Sequence, residues 1–159
     1  MDILGGYIGQ IPIVASIVGN EPLLALAFLI VTATLVALGV PGVLVPISFS
    51  SGALLGGWFG MLVVIAGALL GSQALFVVTR RWLGHRLRRR WGEQLARFDR
   101  KMEQRGFYYL LGLRLVGAPH LLVTTSSALS AIRARSFLLA TLFGLLPAIT
   151  LAAMAGSAV

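Results

Sequence analysis

One stretch of the sequence combines an apolar composition with side chains that can bind an anion. It covers residues 107–131 (FYYLLGLRLVGAPHLLVTTSSALSA), in which Arg114 is the only residue charged at neutral pH. A charged side chain inside hydrocarbon costs several kcal/mol and therefore commonly marks a functional site. Because a guanidinium can bind a phosphate through two parallel hydrogen bonds, the stretch predicts a phosphate site at Arg114. The alternative is an arginine that reaches the membrane interface or caps a helix end.

Polar residues that could assist Arg114 occur beside it and in a second stretch, residues 41–60. The predicted substrate-binding residues in these two stretches are Pro119, His120, Thr124, Thr125, Ser126 and Ser127, together with Ser50, Ser51 and Gly52. The hydroxyl groups can bond headgroup oxygens, although a helical serine or threonine more often bonds its own backbone. His120 either carries a proton near neutral pH or is a polar residue satisfied at a turn.

The composition is that of an integral membrane protein with a single domain, residues 1–159. Hydrophobic residues make up 58% of the chain, charged residues make up 11%, and the mean hydropathy is +0.93, whereas about a quarter of a soluble domain is charged. With no cysteine and two histidines, neither a disulfide nor a metal site is predicted. The sequence offers no nucleophile–base pair, so we expect neither an enzyme nor a cofactor. The first residues lack a basic segment, so a cleaved signal peptide is not expected.

Apolar runs and the residues that interrupt them divide the chain into seven segments. Runs of about 18 or more apolar residues predict transmembrane helices, whereas Pro46 and the serines after it predict a broken helical hairpin. The segments are an N-terminal interfacial segment (1–21), a transmembrane helix (23–40), a first re-entrant hairpin (41–60), a second transmembrane helix (61–79), a connector (80–106), a second re-entrant hairpin (107–131) and a third transmembrane helix (136–156). The predicted fold class is therefore all-α.

The connector, residues 80–106, concentrates the positive charge of the chain. It holds ten of the thirteen basic residues, in a chain whose net charge is +8. Apolar side chains recur on one helix face, at Leu83, Leu87, Trp91, Leu95, Phe98 and Met102. This spacing predicts an amphipathic cytoplasmic helix that binds anionic lipid headgroups or packs against the protein's own spans. The charge alone would also follow from the positive-inside rule. A short loop tied to a membrane makes nucleic-acid binding unexpected.

Charge placement predicts how the two hairpins are oriented. Arg133 and Arg135 lie on the same side as the basic connector only if residues 107–131 re-enter the membrane rather than cross it. The first hairpin then enters from the opposite side, and the N-terminus is cytoplasmic. Both hairpins repeat an order of proline, apolar residues and two serines, starting at Pro41 and Pro119, which predicts an inverted repeat with a site between them. Glycines spaced by four permit a homo-oligomer without requiring one.

Three motifs resemble those of the DedA superfamily, in particular its VTT-domain branch, also called SNARE-associated Golgi proteins. They are GALLGSQALFVVTRRWLG (67–84), RLVGAP (114–119) and SFLLATLFGLLP (136–147), and the resemblance covers about residues 41–156. It implies two facing re-entrant hairpins in a bacterial inner (plasma) membrane. It also implies lipid movement, by scramblases or by translocases of polyprenyl phosphates or phospholipids. Finally, it implies that Arg80, from an aromatic-x-x-x-Arg element, binds substrate together with Arg114.

Two features depart from the pattern of that family. Gly117 stands where a proline is usual after the second arginine, and no acidic residue lies between Glu21 and Glu93, where members typically carry carboxylates. The resemblance therefore does not extend to proton coupling through a membrane carboxylate. The predicted function is a translocase or scramblase for a phosphate-bearing lipid. The alternatives are a small-solute or ion transporter, and a non-transporting membrane scaffold that binds anionic lipid.

Overall fold

The described part of the chain is entirely helical. The structure, a computed structural model, describes residues 19–130 and 132–158, apart from twelve side chains between positions 83 and 104. Within that part there are six α-helices and one π-helical turn and no strand. In chain order they are α1 (Glu21–Ala37), α2 (Leu44–Leu55), α3 (Gly57–Val78), the π-helical turn (Thr79–Leu83), α4 (Gly84–Leu115), α5 (His120–Leu129) and α6 (Ala134–Ser157). The all-α prediction is confirmed.

Two predicted features lie outside the described residues. One is the N-terminal interfacial segment, of which the structure describes no residue before position 19. The other is the apolar face of the connector, whose six side chains fall among the twelve that are not described.

Among the residues that the structure describes, two helices are long and apolar enough to cross a bilayer. They are Gly57–Trp82, with 26 residues, and Ala134–Ser157, with 24 residues. The predicted span at residues 23–40 corresponds to α1, which has 17 residues and ends at Ala37. At a rise of about 1.5 Å per residue α1 is roughly 25 Å long, shorter than a hydrocarbon core of about 30 Å. The helix ends three residues before the predicted boundary because a glycine turn closes it before Val40.

The turn after α1 is a Schellman motif, in which a glycine with a left-handed backbone closes the helix. Gly39 has a φ of 73°, and its N–H donates to the carbonyl of Val36 at 3.0 Å. The N–H of Val40 reaches back to Leu35 at 3.1 Å. Pro41 then follows, and because proline cannot continue a helix the chain leaves the axis of α1.

The turn after α4 has the same hydrogen bonds. Gly117 has a φ of 82°, and its N–H donates to the carbonyl of Arg114 at 3.2 Å. The N–H of Ala118 reaches the carbonyl of Leu113 at 2.9 Å, and Pro119 follows. The repeat seen in the sequence therefore has a structural counterpart, in which a helix, this turn, a short helix and a long helix occur twice. Whether the hairpins re-enter a membrane from opposite sides remains a prediction.

Two predicted breaks are absent from the helices. Pro46 was expected to interrupt its stretch, but it lies in the first turn of α2, where a missing N–H breaks no helical hydrogen bond. The predicted boundary between residues 106 and 107 lies inside α4, which continues to Leu115. No proline occurs in α4, so nothing in its sequence stops the helix there.

Each short helix packs on a different cluster. The cluster beneath α2 is apolar and includes Val36, Val64 and Ile149. The cluster beneath α5 contains the larger rings of Phe76 and Phe137, and it adjoins the polar residues described below.

Glycine brings the backbones of α2 and α6 into contact. A Cβ atom on Gly52 would collide with the carbonyl of Ala153, and one on Gly156 would collide with the carbonyl of Phe49. These two glycines therefore serve helix packing within the chain.

Candidate functional site

Arg114 lies in the last turn of α4 with 7% of its surface exposed. Its Nη1 is 2.8 Å from Nδ1 of His120, and its Nη2 donates to Oγ1 of Thr124 at 3.3 Å. The Cζ atom lies 5.4 Å from the ring centroid of Phe137. The Nε group is buried and has no hydrogen-bond partner among the described residues. Arg114 therefore has one buried nitrogen atom that no described residue satisfies.

The hydrogen-bond partners of the Arg114 guanidinium are the uncharged side chains of His120 and Thr124. A guanidinium only donates hydrogen bonds, so Nδ1 of His120 must accept, and the ring proton then resides on Nε2. That Nε2 lies 3.4 Å from the hydroxyl oxygens of Ser72 and Thr124. The sequence has no carboxylate between Glu21 and Glu93 or after Glu103. A buried positive charge held in this way is suited to an anionic ligand.

Space for Arg114 depends on a glycine in α6. A Cβ atom on Gly144 would lie 2.6 Å from Cβ of Arg114, closer than non-bonded carbons approach. The arginine stem therefore crosses α6 where that helix has no side chain. The sequence analysis assigned no role to Gly144.

A cavity of about 180 Å³ lies where the two turns meet. It is lined by His120, by Ala148, by Val36 at the end of α1, and by residues of the turn after α1 and of the start of α2. The turn after α1 touches α5 at Gly39, where a Cβ atom would collide with the side chain of Leu121. Because His120 both lines the cavity and bonds Arg114, it connects the cavity with the arginine.

Both short helices begin at this cavity. The first residues of α2, Leu44 and Val45, line its wall, and His120 is the first residue of α5. Neither helix start is capped by a side-chain hydrogen bond. The N–H groups of a first helical turn lack partners within the helix and carry a partial positive charge. The two helix N-termini thus favour an anion in this cavity, and Arg114 contacts His120 on the cavity wall without lining the cavity itself.

Arg80 lies at the other end of α5. Its side chain is exposed. Three of its hydrogen bonds go to backbone carbonyls of alternate residues: Nε donates to Ala128 at 3.1 Å, and Nη2 donates to Ser130 at 2.7 Å and to Ile132 at 3.0 Å. The ten residues of α5 separate this end from His120 by roughly 14 Å. The structure therefore does not place the two predicted arginines on one ligand group.

The predicted hydroxyls divide into two groups. Thr124 reaches Arg114, whereas Ser51, Thr125 and Ser127 donate to carbonyls three or four residues earlier in their own helices, at 2.9, 2.7 and 2.6 Å. These three follow the alternative that the sequence analysis left open, in which a helical hydroxyl bonds its own backbone.

The remaining predicted residues lie outside the arginine cluster. Ser50 is exposed and Ser126 is half-buried. Gly52 packs on α6, as described above. Pro119 occupies the N-cap position of α5, where it fixes the start of the helix that carries His120.

Sequence reasoning missed two contributors, Ser72 and Phe137. Ser72 is a lone hydroxyl in the apolar α3, and the only sequence signal was a polar residue within a predicted span. Phe137 is one apolar residue among many, so nothing in the sequence distinguished it as a partner of the Arg114 guanidinium.

Comparison with known proteins gives one match. The model of a family described as the VTT domain matches residues 40–158, about three quarters of the chain. No curated protein and no solved structure matches the chain.

Proposed function

This chain belongs to the VTT-domain family, and we propose that it moves a phosphate-bearing lipid, either a polyprenyl phosphate or a phospholipid, across a bilayer. Membership in this family suggests a membrane transport or lipid-related role. The observation that carries the proposal is the buried guanidinium of Arg114, whose Nε finds no hydrogen-bond partner in the described part of the chain. The lipid phosphate would complete this incomplete set of bonds.

A phosphate is a better partner for Arg114 than the groups that now hold it. His120 and Thr124 offer one neutral acceptor each, at 2.8 and 3.3 Å. A phosphate offers charged oxygens that accept two parallel hydrogen bonds, and such bonds are roughly twice as strong as neutral ones. The exchange of partners therefore favours the ligand, and it frees His120 and Thr124 to bond other headgroup oxygens.

The phosphate would enter through the cavity between the two turns. There it meets the N-terminus of α2 and that of α5 before it reaches Arg114. The hydrocarbon tails would remain outside, against the exposed apolar side chains of the long helices, such as Leu62, Leu70 and Leu151. Movement of the headgroup alone through a protein path is the step that a translocase or scramblase supplies. The proposal involves no covalent chemistry.

We further propose that the protein lies in a bacterial inner membrane, with the basic half of α4 and the N-terminus at the cytoplasmic face. Arg86, Arg89, Arg90, Arg97 and Arg100 are exposed along that half and would contact anionic headgroups there. This surface also favours a second candidate function, a non-transporting scaffold that binds anionic lipid through α4. A small-solute or ion transporter would use the cavity without needing a lipid.

Reconstitution into liposomes tests these candidates. The flux of a fluorescent phospholipid and of a polyprenyl phosphate would be measured for the wild type, for Arg114→Ala and for the exposed control Arg135→Ala. We expect Arg114→Ala to reduce the flux at least about tenfold, because hydrogen bonds to a charged group contribute about 1.5–3 kcal/mol each. Arg135→Ala should retain the wild-type flux.

The other outcomes separate the alternatives. If the folded wild type moves neither lipid, the lipid-translocation proposal is wrong. Binding of anionic vesicles without flux would then favour the scaffold, and flux of a small anion that is lost in Arg114→Ala would favour the solute transporter.

A further inference from the structure

Two arginines hold opposite ends of α5. At its start, Arg114 bonds His120 and Thr124. At its end, Arg80 donates to the carbonyls of Ala128, Ser130 and Ile132. Ala128 lies in the last turn of α5, where carbonyls lack partners within the helix and carry a partial negative charge, so a guanidinium stabilises them. The bonds to Ser130 and Ile132 fix the chain that follows the helix. The position of the short helix therefore depends on both arginines.

The same two arginines are connected by a pair of aromatic rings. Cζ of Arg80 lies 4.8 Å from the ring centroid of Phe76, and Cζ of Arg114 lies 5.4 Å from that of Phe137. The two rings stack on each other, with centroids 4.6 Å apart and planes at 25°. Both rings are almost fully buried, at 1% and 0% exposure. A cation over a desolvated ring is attracted by its negative face, so each ring holds one guanidinium.

The local backbone explains how Arg80 reaches this position. Phe76 precedes it by four residues, a spacing that puts two side chains on the same side of a helix. Arg80 itself lies in the π-helical turn, Thr79–Leu83. A π-helical turn rotates the residues within it relative to the regular helix, and such turns are common at functional sites. The aromatic-x-x-x-Arg spacing in the sequence is therefore accounted for by one intrahelical contact.

We infer that Arg80 is a positioning residue: it anchors the end of α5 and, through Phe76 and Phe137, fixes the guanidinium of Arg114, and it does not bind the lipid itself. The inference rests on the proposed phosphate site at Arg114. Three donor bonds of Arg80 are already used on backbone carbonyls, and the site at His120 is roughly 14 Å away along α5. The competing assignment is that Arg80 binds a headgroup in the open cavity of about 450 Å³ that it lines with Arg81 and His85.

Cysteine labelling tests the anchoring of α5 without any transport measurement. The natural chain has no cysteine, so a single Ser126→Cys change in the full chain gives one labelling site on α5. In detergent and without added lipid, we expect Arg80→Gln to speed maleimide labelling of this cysteine at least about tenfold, because charge-assisted bonds to the helix end are lost. Arg81→Gln removes a neighbouring exposed charge and should leave the rate unchanged. Ser50→Cys, the counterpart in α2, reports general unfolding and should not respond to Arg80→Gln.

Lipid titration tests the connection through the rings. In liposomes, Phe76→Leu should raise the half-saturating concentration of the fluorescent phosphate lipid about fivefold, because Arg114 loses an indirect support. Leu110→Ala removes volume from the same core cluster but is not one of the two stacked rings. It should lower the maximal flux, through a smaller folded fraction, at an unchanged half-saturating concentration.

Three results would overturn the inference or separate it from the proposed function. If Arg80→Gln labels at the wild-type rate but raises the half-saturating concentration, Arg80 binds the lipid directly and the inference is wrong. If Phe76→Leu behaves like Leu110→Ala, the rings have a structural role only, and the link to Arg114 is wrong. If the wild type moves no lipid, the proposed function fails alone, since the labelling result still supports or overturns the anchoring of α5 by Arg80.

Discussion

Two regions of the molecule, α1–α2 and α4–α5, build the same turn around different side chains. Each ends a helix with the same two backbone hydrogen bonds, places a glycine at positive φ and continues through a proline. Three residues before the glycine lie Val36 in the first region and Arg114 in the second. The turn depends on its glycine and proline, so the position before it is free to carry either a packing residue or a charge.

The surroundings of these two positions differ accordingly. Val36 is 2% exposed and belongs to an apolar cluster, and the short helix beside it packs through glycine against the backbone of α6. Arg114 is buried among His120, Thr124 and Phe137. The first region thus supplies an apolar wall of the cavity, and the second supplies the polar groups. The comparison shows that two copies of a repeat can share a backbone turn while only one of them carries a charged side chain and its polar neighbours.

Substitutions at Val36 and Arg114 should give the largest difference in the free energy of unfolding. Val36→Arg places an uncompensated charge in an apolar cluster, so we expect a loss of about 3–5 kcal/mol in the free energy of unfolding. Arg114→Leu removes a buried charge and should change stability much less while abolishing lipid flux. Denaturant unfolding in detergent measures the first quantity and the liposome assay the second. Equal destabilisation by the two changes would show that the regions do not differ as described.

Two glycines at helix contacts, Gly52 facing α6 and Gly144 within α6, give the next largest effect. Gly52→Ala forces a methyl group into the backbone at Ala153, and Gly144→Ala forces one into the Arg114 stem; each should cost about 2–3 kcal/mol in the free energy of unfolding. Only the second clash involves a removable side chain. Adding Arg114→Gly, which removes the Cβ atom 2.6 Å away together with the rest of the stem, should therefore rescue Gly144→Ala but not Gly52→Ala, as a double-mutant cycle would measure. Purely additive losses in both cycles would contradict the close contact between Arg114 and Gly144.

Adjacent threonines on α5 give the smallest effect and the sharpest control. Thr124→Val removes a hydroxyl that accepts a bond from Arg114 and should lower the free energy of unfolding by about 1.5 kcal/mol. Thr125→Val removes a hydroxyl that bonds the carbonyl of Leu121 and should change it by less than about 0.5 kcal/mol. Thermal unfolding of both variants in detergent compares them directly. If Thr125→Val were the more destabilising, the division of the hydroxyls into site and backbone groups would be wrong.

The sequence predicted much of the backbone because its signals are local. Apolar runs predicted helices close to α1, α3 and α6, and the order of proline and serines around Pro41 and Pro119 predicted a repeat that the two turns display. Boundaries were less predictable. Pro46 was taken as a break although a proline is compatible with the first turn of a helix, and α4 runs through residue 106 because nothing in its sequence ends it.

The sequence by itself determined the chemistry available to this protein: an apolar chain with a single charge in its second hairpin, no carboxylate to pair with it, and a family pattern that residues 40–158 match. Tertiary structure alone decided which residues act together. It brought His120 and Thr124 to Arg114 and added Ser72 and Phe137, while it placed Arg80 at the far end of α5. The reason is physical: residue types fix what each side chain can donate or accept, but the partners lie on separate helices, and only the packing of those helices sets the distances between them.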